Sequence, residues 1–207
     1  MLNVKRFELG PLATNAYLLS SADGRRGVII DPGMNPEPLV RRIESMDIAA
    51  ILLTHAHFDH IGGVDEIRKL KKCPVYLHEA EAEWLTDPNK NGSTMWPELG
   101  GPIATDPAEF TLADGQELKL LGETFRVFHT PGHSPGGVSL LWGNVLFSGD
   151  VLFRLSVGRT DLPGGNHRAL MESIHGTLFE FDDDVRVYPG HGPDTTIGFE
   201  KRNNPYV

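Results

Sequence analysis

The sequence is poor in cysteine, in long apolar runs and in excess positive charge, and each shortage excludes a class of protein. A single cysteine, Cys73, cannot form a disulfide within the chain. No run approaches the roughly 18 apolar residues of a membrane span, and the opening stretch MLNVKRFELG lacks a signal-peptide core. The net charge of -9 offers no cationic surface for phosphate backbones or anionic lipids. We therefore expect a cytoplasmic protein that binds neither nucleic acid nor membrane.

The remaining composition is that of an ordinary globular protein. Hydrophobic residues make up 40% of the chain and charged residues 23%, and the 23 glycines and 15 prolines indicate many turns. A chain of 207 residues can bury one sizeable core but hardly two. We expect a single domain over residues 1–207, either as a monomer or as a homo-oligomer.

Apolar periodicity in the first half predicts the element order ββαβαβ. The strands that follow helices are continuous apolar runs, typical of a sheet covered on both faces. The predicted elements are a strand pair over 16–30 with a turn at Asp23 and Gly24, a helix over 37–46, a strand over 49–54, a helix over 64–72 and a strand over 74–78.

The second half repeats this pattern after a long aperiodic segment. Residues 79–85 predict a short helix, and residues 87–107 are rich in Pro and Gly, as functional or mobile loops often are. Strand signals then follow in ELKLLG, TFRVFHT, VSLLW and NVLFSGD, a helix signal in HRALMESIHGTLFEF, and a last strand in VRVYPG.

The stretch THAHFDHIGG, residues 54–63, places three histidines and an aspartate within six positions after a buried strand. On an extended or turning backbone, His55 and His57 point two imidazoles to one side. Asp59 and His60 follow directly and can face a second ion. Imidazole and carboxylate suit zinc, manganese and iron, whereas core packing does not explain such crowding. This stretch predicts part of a metal site.

Three later residues lie at similar positions. His133 follows a strand in TPGHSPGG, Asp150 follows one in LFSGDVLF, and His191 follows the last strand in YPGHGP. Since open α/β sheets form their ligand crevice at the carboxyl ends of the strands, we expect all these side chains to converge there. The other histidines are expected to be structural or exposed, and Cys73 to be a small buried hydrophobe; these histidines are His78, His129, His167 and His175.

This pattern resembles the signature H-x-H-x-D-H, followed by His, Asp and His, of the metallo-β-lactamase superfamily. The resemblance extends from the first strand pair to His191 and implies an α/β fold, the αββα sandwich of two mixed sheets flanked by helices. It also implies a ligand set for two metal ions: His55, His57 and His133 for the first, Asp59, His60 and His191 for the second, and Asp150 as the bridge.

Such a centre implies a hydrolase. Two divalent ions can hold a hydroxide between them, and this hydroxide attacks a polarised carbonyl. Asp59 and Asp150 would then be catalytic, because they hold the ions that carry the hydroxide. Zinc is the expected ion, and iron and manganese suit the same ligands.

A second resemblance narrows the range of possible substrates. Residues 149–165, GDVLFRLSVGRTDLPGG, are similar to the segment that follows the bridging aspartate in glyoxalase II (hydroxyacylglutathione hydrolase). It implies a small-molecule thioester substrate, such as S-lactoylglutathione, with Arg159 on the anionic thiol. Phe153 and Leu155 are separate candidates for the pocket lining, and the alternative is that they simply pack the sandwich. A thiolate leaves readily, so no strong general acid is needed. Arg159 could instead only hold its loop through Asp161. We expect no carboxyl-terminal helical glutathione-binding domain of the kind that full-length glyoxalase II has.

Other activities share the same motif. A persulfide dioxygenase would bind one iron through His55, His133 and Asp150 and act on glutathione persulfide. A lactonase or lactamase needs only a different pocket. A nuclease would need a basic surface, which the sequence does not provide, and a non-catalytic binding module would have no reason to keep seven ligands.

Overall fold

The computed structural model describes residues 2–207, which form two six-stranded mixed sheets packed face to face. The first sheet has its strands in sequence order; β1 to β3 are antiparallel, and β3 to β6 are parallel. Its strands are β1 (Asn3–Leu9), β2 (Thr14–Ser20), β3 (Arg26–Ile30), β4 (Asp47–Leu52), β5 (Val75–His78) and β6 (Phe110–Leu112).

The second sheet has the order β14-β13-β10-β9-β8-β7, and only its β10–β13 pair is parallel. Its strands are β7 (Glu117–Leu120), β8 (Glu123–His129), β9 (Val138–Trp142), β10 (Val145–Gly149), β13 (Arg186–Pro189) and β14 (Thr195–Thr196). A small separate hairpin is formed by β11 (Leu152–Phe153) and β12 (Ser156–Val157).

Helices cover the outer faces of both sheets. The α-helices are α1 (Glu37–Ile43), α2 (Phe58–Ile61), α3 (Val64–Lys71), α4 (His167–Gly176) and α5 (Ile197–Asn203). Short 3-10 helices occupy Glu79–Trp84, Ser93–Met95, Pro97–Leu99 and Leu178–Glu180. The expected αββα arrangement, two mixed sheets flanked by helices, is confirmed.

Alternation along the buried strands builds three apolar layers. In β3, Val28 and Ile30 point between the sheets, whereas Ile29 packs against α1 and α3 on the outer face. Both faces of the strand are therefore apolar, as its continuous hydrophobic run predicts. On the far side, Leu170 and Ile174 of α4 cover the second sheet. None of the helices in residues 2–207 has the length and apolar character that a membrane crossing requires.

The structure adds elements that the sequence patterns did not predict. Strand β1 alternates charged and apolar residues at the edge of its sheet, where exposure is tolerated, so it lacks a continuous apolar run. Helix α5 contains Gly198, which weakens its helical signal, yet Ile197 and Glu200 are fully buried. The segment 87–107 contains two 3-10 turns and is anchored by the buried Asn91.

The topology brings the carboxyl ends of five strands to one edge. Strands β3 and β4 are parallel, and so are β10 and β13, while β8 runs in the same direction as β10 because both are antiparallel to β9. The two sheets are joined at this edge, where Val138 donates a backbone hydrogen bond of 2.8 Å to Thr54 O. The predicted ligands therefore meet in one place.

We expect Tyr17→Phe to lower the free energy of unfolding by about 0.5–1.5 kcal/mol. The buried Tyr17 hydroxyl donates a 2.6 Å hydrogen bond across the sandwich to Pro189 O. Since Asn15 Nδ2 also donates to this oxygen, at 2.9 Å, the carbonyl keeps one partner and the loss stays moderate. Urea unfolding of the metal-free protein measures this loss of unfolding free energy. The control is Tyr206→Phe, at a residue 61% exposed, and an equal loss there would contradict the prediction.

Candidate metal centre

Three histidines form the first ligand group, which we call the three-histidine site. His55, His57 and His133 each offer one ring nitrogen, and these nitrogens lie within 4.8 Å of one another. All three side chains are buried. The HxH spacing works because the backbone is extended at His57, just before α2 begins at Phe58.

Two imidazole nitrogens in this site face each other. His57 Nδ1 and His133 Nε2 lie 2.9 Å apart, while His133 Nδ1 donates a 2.8 Å hydrogen bond to Arg159 O. His133 Nε2 therefore carries a lone pair, and a proton on His57 Nδ1 satisfies the contact. A cation between the two nitrogens would take the place of that proton.

The second group, which we call the Asp59 site, consists of Asp59, His60 and His191, again with ligand atoms within 4.8 Å. His191 Nε2 lies 3.2 Å and His60 Nε2 3.4 Å from Asp59 Oδ2. Asp59 and His60 come from the first turn of α2, and His191 follows β13.

Asp150 lies between the two groups. Its Oδ1 is 3.4 Å from His60 Nε2, and its Oδ2 is 3.5 Å from both His133 Nε2 and His191 Nε2. Gly190 makes this approach possible, because a Cβ at that position would lie 2.0 Å from Asp150 Oδ1. One carboxylate thus contacts both ligand groups.

In three of the rings, those of His55, His60 and His191, hydrogen bonds from the far side decide which nitrogen faces the centre. Asp31 Oδ2 accepts a 3.0 Å bond from His60 Nδ1 and a 2.6 Å bond from the Thr54 hydroxyl. With its proton given to Asp31, the Thr54 oxygen accepts from His55 Nδ1 at 3.0 Å. His191 Nδ1 donates to a backbone oxygen, that of Leu12, at 3.1 Å. Nε2 of each ring is left free to bind a metal.

Unsatisfied atoms at the centre show that the residues fit metal ions. Among residues 2–207, the buried atoms without a hydrogen-bond partner include His55 Nε2, His60 Nε2 and Asp150 Oδ1, all of which point into the centre. Buried polar atoms rarely remain unpaired, and two carboxylates with five imidazoles form a ligand set for zinc, iron or manganese.

The two groups differ in their protonation. Burial lowers the pKa of His55, and burial together with His133 lowers that of His57 to about 3, so both rings are neutral. At His191 burial also lowers the pKa, but hydrogen bonding to Asp150 outweighs it and the pKa rises to about 10. For Asp59, burial raises the pKa while His60 and His191 lower it, to about 2. The Asp59 site therefore pairs a charged imidazole with a carboxylate, whereas His55 and His57 are uncharged.

A cavity of about 420 Å³ opens above the centre, and its walls are mainly apolar. Trp96, from the long segment 87–107, stacks on Phe58 with ring centroids 5.6 Å apart. The cavity lining comprises Leu12, His57, Phe58, Asp59, Trp96, Leu99, His133, Asp150, Phe153, Ser156, Val157, Arg159, Leu162 and His191.

The three candidate substrate residues lie in different environments. Phe153 lines the cavity, whereas Leu155 lies in the turn between β11 and β12, is 43% exposed and is not part of the lining. Arg159 lines the cavity too, and its guanidinium forms two parallel hydrogen bonds of 2.7 Å with Asp161. This pairing lowers the pKa of Asp161 to about 2, so the pair is ionised.

The sequence patterns did not predict the residues that hydrogen-bond to the metal-ligating side chains. Asp31 carried a signal, since it ends a buried strand as a lone carboxylate in IIDPG, but no pattern indicated its bonds to Thr54 and His60. Among the remaining histidines, His78 and His129 are half-buried and stack at 4.2 Å, while His167 and His175 are exposed. Cys73 is buried, as expected.

The site and the fold define a superfamily of metal-dependent hydrolases. The sequence profile of the metallo-β-lactamase superfamily matches residues 9–191. The chain belongs to this superfamily and is one of its metallo-hydrolases. It is 41% identical to the probable metallo-hydrolase YqgX of Bacillus subtilis, over 98% of this chain and 96% of the relative. It is 35% identical to the hydroxyacylglutathione hydrolase GloC of Haemophilus influenzae, over 89% of both chains.

Crystal structures of relatives share the whole architecture. The structure of BLEG-1, a B3 metallo-β-lactamase, has a TM-score of 0.93 and 49% identity, and the match covers 99% of both chains. The structure of TTHA1623 in a di-iron-bound form has a TM-score of 0.85 and 41% identity, and the match covers 99% of this chain and 100% of that one.

We expect metal removal to destabilise the protein. The unpaired His55 Nε2, His60 Nε2 and Asp150 Oδ1 would gain a partner from a bound cation, so chelator treatment should lower Tm by about 5–10 °C where free metal had exceeded Kd about 100-fold. Calorimetry before and after chelation measures the shift. Restored metal should restore Tm, and an unchanged Tm after verified metal loss would contradict the prediction.

Proposed function

We propose that this protein is a binuclear metallohydrolase that cleaves acyl thioesters of an anionic thiol of the glutathione type, such as S-lactoylglutathione. The observation that carries the proposal is the position of Asp150, whose two oxygens contact both ligand groups at 3.4–3.5 Å. A shared carboxylate suits a pair of ions better than one ion. The di-iron form of TTHA1623 supports a pair, and GloC supports the thioester.

The chemistry of the site agrees with hydrolysis of a carbonyl compound. Bound divalent ions would supply a water of lowered pKa and polarisation of the carbonyl oxygen. Asp59 and Asp150 provide negative charge and hold the histidines in place, and Thr14 fixes Asp59 through a 2.7 Å hydrogen bond. Because the leaving thiolate is stable near neutral pH, the site needs no strong acid beside the leaving group.

The metal is zinc or iron in this proposal. Histidine-rich ligand sets accept both ions, and manganese to a lesser degree. The di-iron form of the relative TTHA1623 supports iron, whereas the neutral imidazoles of the three-histidine site are equally suited to zinc. Elemental analysis of the purified protein distinguishes them.

Arg159 supplies the cation for the anionic thiol. Arg159 is the arginine in the cavity wall, and its side chain is 54% exposed. Asp161 holds its guanidinium in a fixed fork, which leaves further N–H donors for a substrate carboxylate. Asp161 also competes with that carboxylate, so the pair tunes affinity.

A second candidate is β-lactam hydrolysis, which the 49% identity to BLEG-1 favours. The apolar wall of Trp96 and Phe58 would accept a lactam side chain as readily as an acyl group. The metal centre suits either carbonyl.

We expect metal-loaded protein to hydrolyse S-lactoylglutathione with kcat/KM of about 10⁴ M⁻¹s⁻¹ or higher. His57→Ala should abolish this turnover, because it removes a ligand of the three-histidine site. Loss of thioester absorbance measures the rate, with chelated wild-type protein as control. If the protein cleaves a chromogenic cephalosporin but not S-lactoylglutathione, β-lactam hydrolysis replaces thioester hydrolysis as the function. Oxygen uptake with glutathione persulfide would instead indicate a dioxygenase.

We expect Arg159→Ala to raise KM for an anionic thioester by about 10-fold and to leave KM for a neutral thioester nearly unchanged, since a charged hydrogen bond is worth about 1.5–3 kcal/mol. Asp161→Asn should lower the same KM, because it frees the guanidinium. The matched control is Arg154→Ala, an exposed arginine that packs over Phe199 at 5.3 Å and does not line the cavity. Equal effects on both substrates would refute the assigned role.

A further inference from the structure

Glu81 is a fully buried carboxylate close to the metal centre that binds no ligand atom of either site. It lies on the 3-10 helix Glu79–Trp84, directly after β5, and its exposure is 0%. Burial raises its pKa, and the hydrogen bonds that favour the carboxylate offset this rise only in part. A carboxylate in such a place costs folding free energy unless its oxygens are paired, so its partners indicate what it does.

Its partners are the backbones of two ligand loops. Oε2 accepts a 2.6 Å hydrogen bond from Ala56 N, and Oε1 accepts a 2.7 Å hydrogen bond from Gly136 N. Ala56 lies between His55 and His57, and Gly136 follows three residues after His133. One carboxylate therefore connects the chain segments that carry all the imidazoles of the three-histidine site.

We propose that Glu81 is a positioning residue that sets the spacing between the His55–His57 segment and the His133 loop, and thereby the metal affinity of the three-histidine site. The two short bonds hold these backbones on either side of one rigid carboxylate plane. Trp84, from the same 3-10 helix, packs against His57 with ring centroids 5.6 Å apart. The helix thus sets both the backbone and one ring of the site.

Gly136 is independent evidence that the His133 loop approaches the Glu81 side chain closely. A Cβ at this position would lie 2.9 Å from Glu81 Cγ and 3.1 Å from Cδ. Its φ lies outside the left-handed region, so the glycine is needed for the close approach and not for its backbone conformation. The His133 loop is shaped to bring its amide against the carboxylate.

Glu200 provides a matched control for a purely structural role. It is also 0% exposed, and it accepts hydrogen bonds of 2.9 Å from Leu155 N and from Asn204 Nδ2 and a short one from the Thr195 hydroxyl. These bonds fix α5 against the β11–β12 turn and touch neither ligand segment. Replacing Glu200 removes a buried carboxylate of the same size without acting on the histidines.

The test compares Glu81→Gln, Gly136→Ala and Glu200→Gln in the full chain. The amide introduced by Glu81→Gln keeps the size of the side chain but turns an NH₂ toward one of the two backbone donors. We titrate chelator-treated protein with Co²⁺, follow the ligand-field absorption and the heat of binding, and measure Tm of each metal-free form.

We expect Glu81→Gln and Gly136→Ala to weaken Co²⁺ binding by about 10- to 100-fold, as loss of a partner behind a metal ligand does, and to alter the ligand-field spectrum. Glu200→Gln should lower Tm while affinity and spectrum remain those of the wild type. Wild-type affinity and spectrum in Glu81→Gln would overturn the proposal. If Glu81→Gln does not fold, the same readouts in Gly136→Ala decide.

This inference concerns the metal centre and does not depend on the substrate. A wild-type protein that binds Co²⁺ yet cleaves no thioester would refute the proposed function and leave Glu81 to be judged by the binding data. Normal Co²⁺ binding in both variants would refute the role of Glu81 and leave thioester hydrolysis to its own assay.

Discussion

The withdrawal of five imidazoles and two carboxylates from water at one edge of the sandwich imposes a free-energy cost that the surrounding chain must offset. Buried polar groups persist when their other atoms are satisfied and the remaining ones have a partner. Here the outward-facing atoms bind Asp31, Thr54 and the backbone oxygens of Leu12 and Arg159. The inward-facing atoms converge on the space between the two ligand groups. For four of the five histidines, this division into a fixed side and a free side suits the binding of metal ions.

The sandwich supplies the rigidity that this arrangement needs. Its strands are paired on both sides of the centre, and hydrogen bonds join the two sheets at the same edge through Thr54 and Tyr17. The loops that bear the candidate ligands begin directly after β4, β8, β10 and β13, so little freedom separates the sheets from the ligand atoms. The cavity above the centre is lined instead by less regular parts: the segment with Trp96, the β11–β12 hairpin, and Arg159, which is paired with Asp161. A shared fold can therefore host different reactions, according to the parts that line the cavity.

Much of the fold could be predicted from local patterns. The continuous apolar runs of β3 and β4 and the helical spacing of α1 and α3 predict their elements, because both faces of these strands are covered and the helices are amphipathic. Edge strand β1 and helix α5 escaped prediction, since exposed edges and a helix with an internal glycine carry weak signals. The metal-ligating residues were also predictable from local features of the sequence. Their chemical types are unusual at strand ends, whereas Glu81 looks like an ordinary acidic residue and nothing local to Asp31 indicates its partners.

The sequence by itself determined which groups can bind metal and that they follow strands, because residue type and short-range periodicity are local properties. Only the tertiary structure decided which nitrogen of each histidine faces the centre and which carboxylate lies between the two groups. It also decided that Arg159 is paired with Asp161 and that Glu81 connects two ligand segments. Those features rest on contacts such as Thr14 with Asp59, 45 residues apart, and Leu12 with His191, 179 residues apart. Contacts of this kind exist only once the sheets have packed, because packing alone brings such distant segments within hydrogen-bond distance.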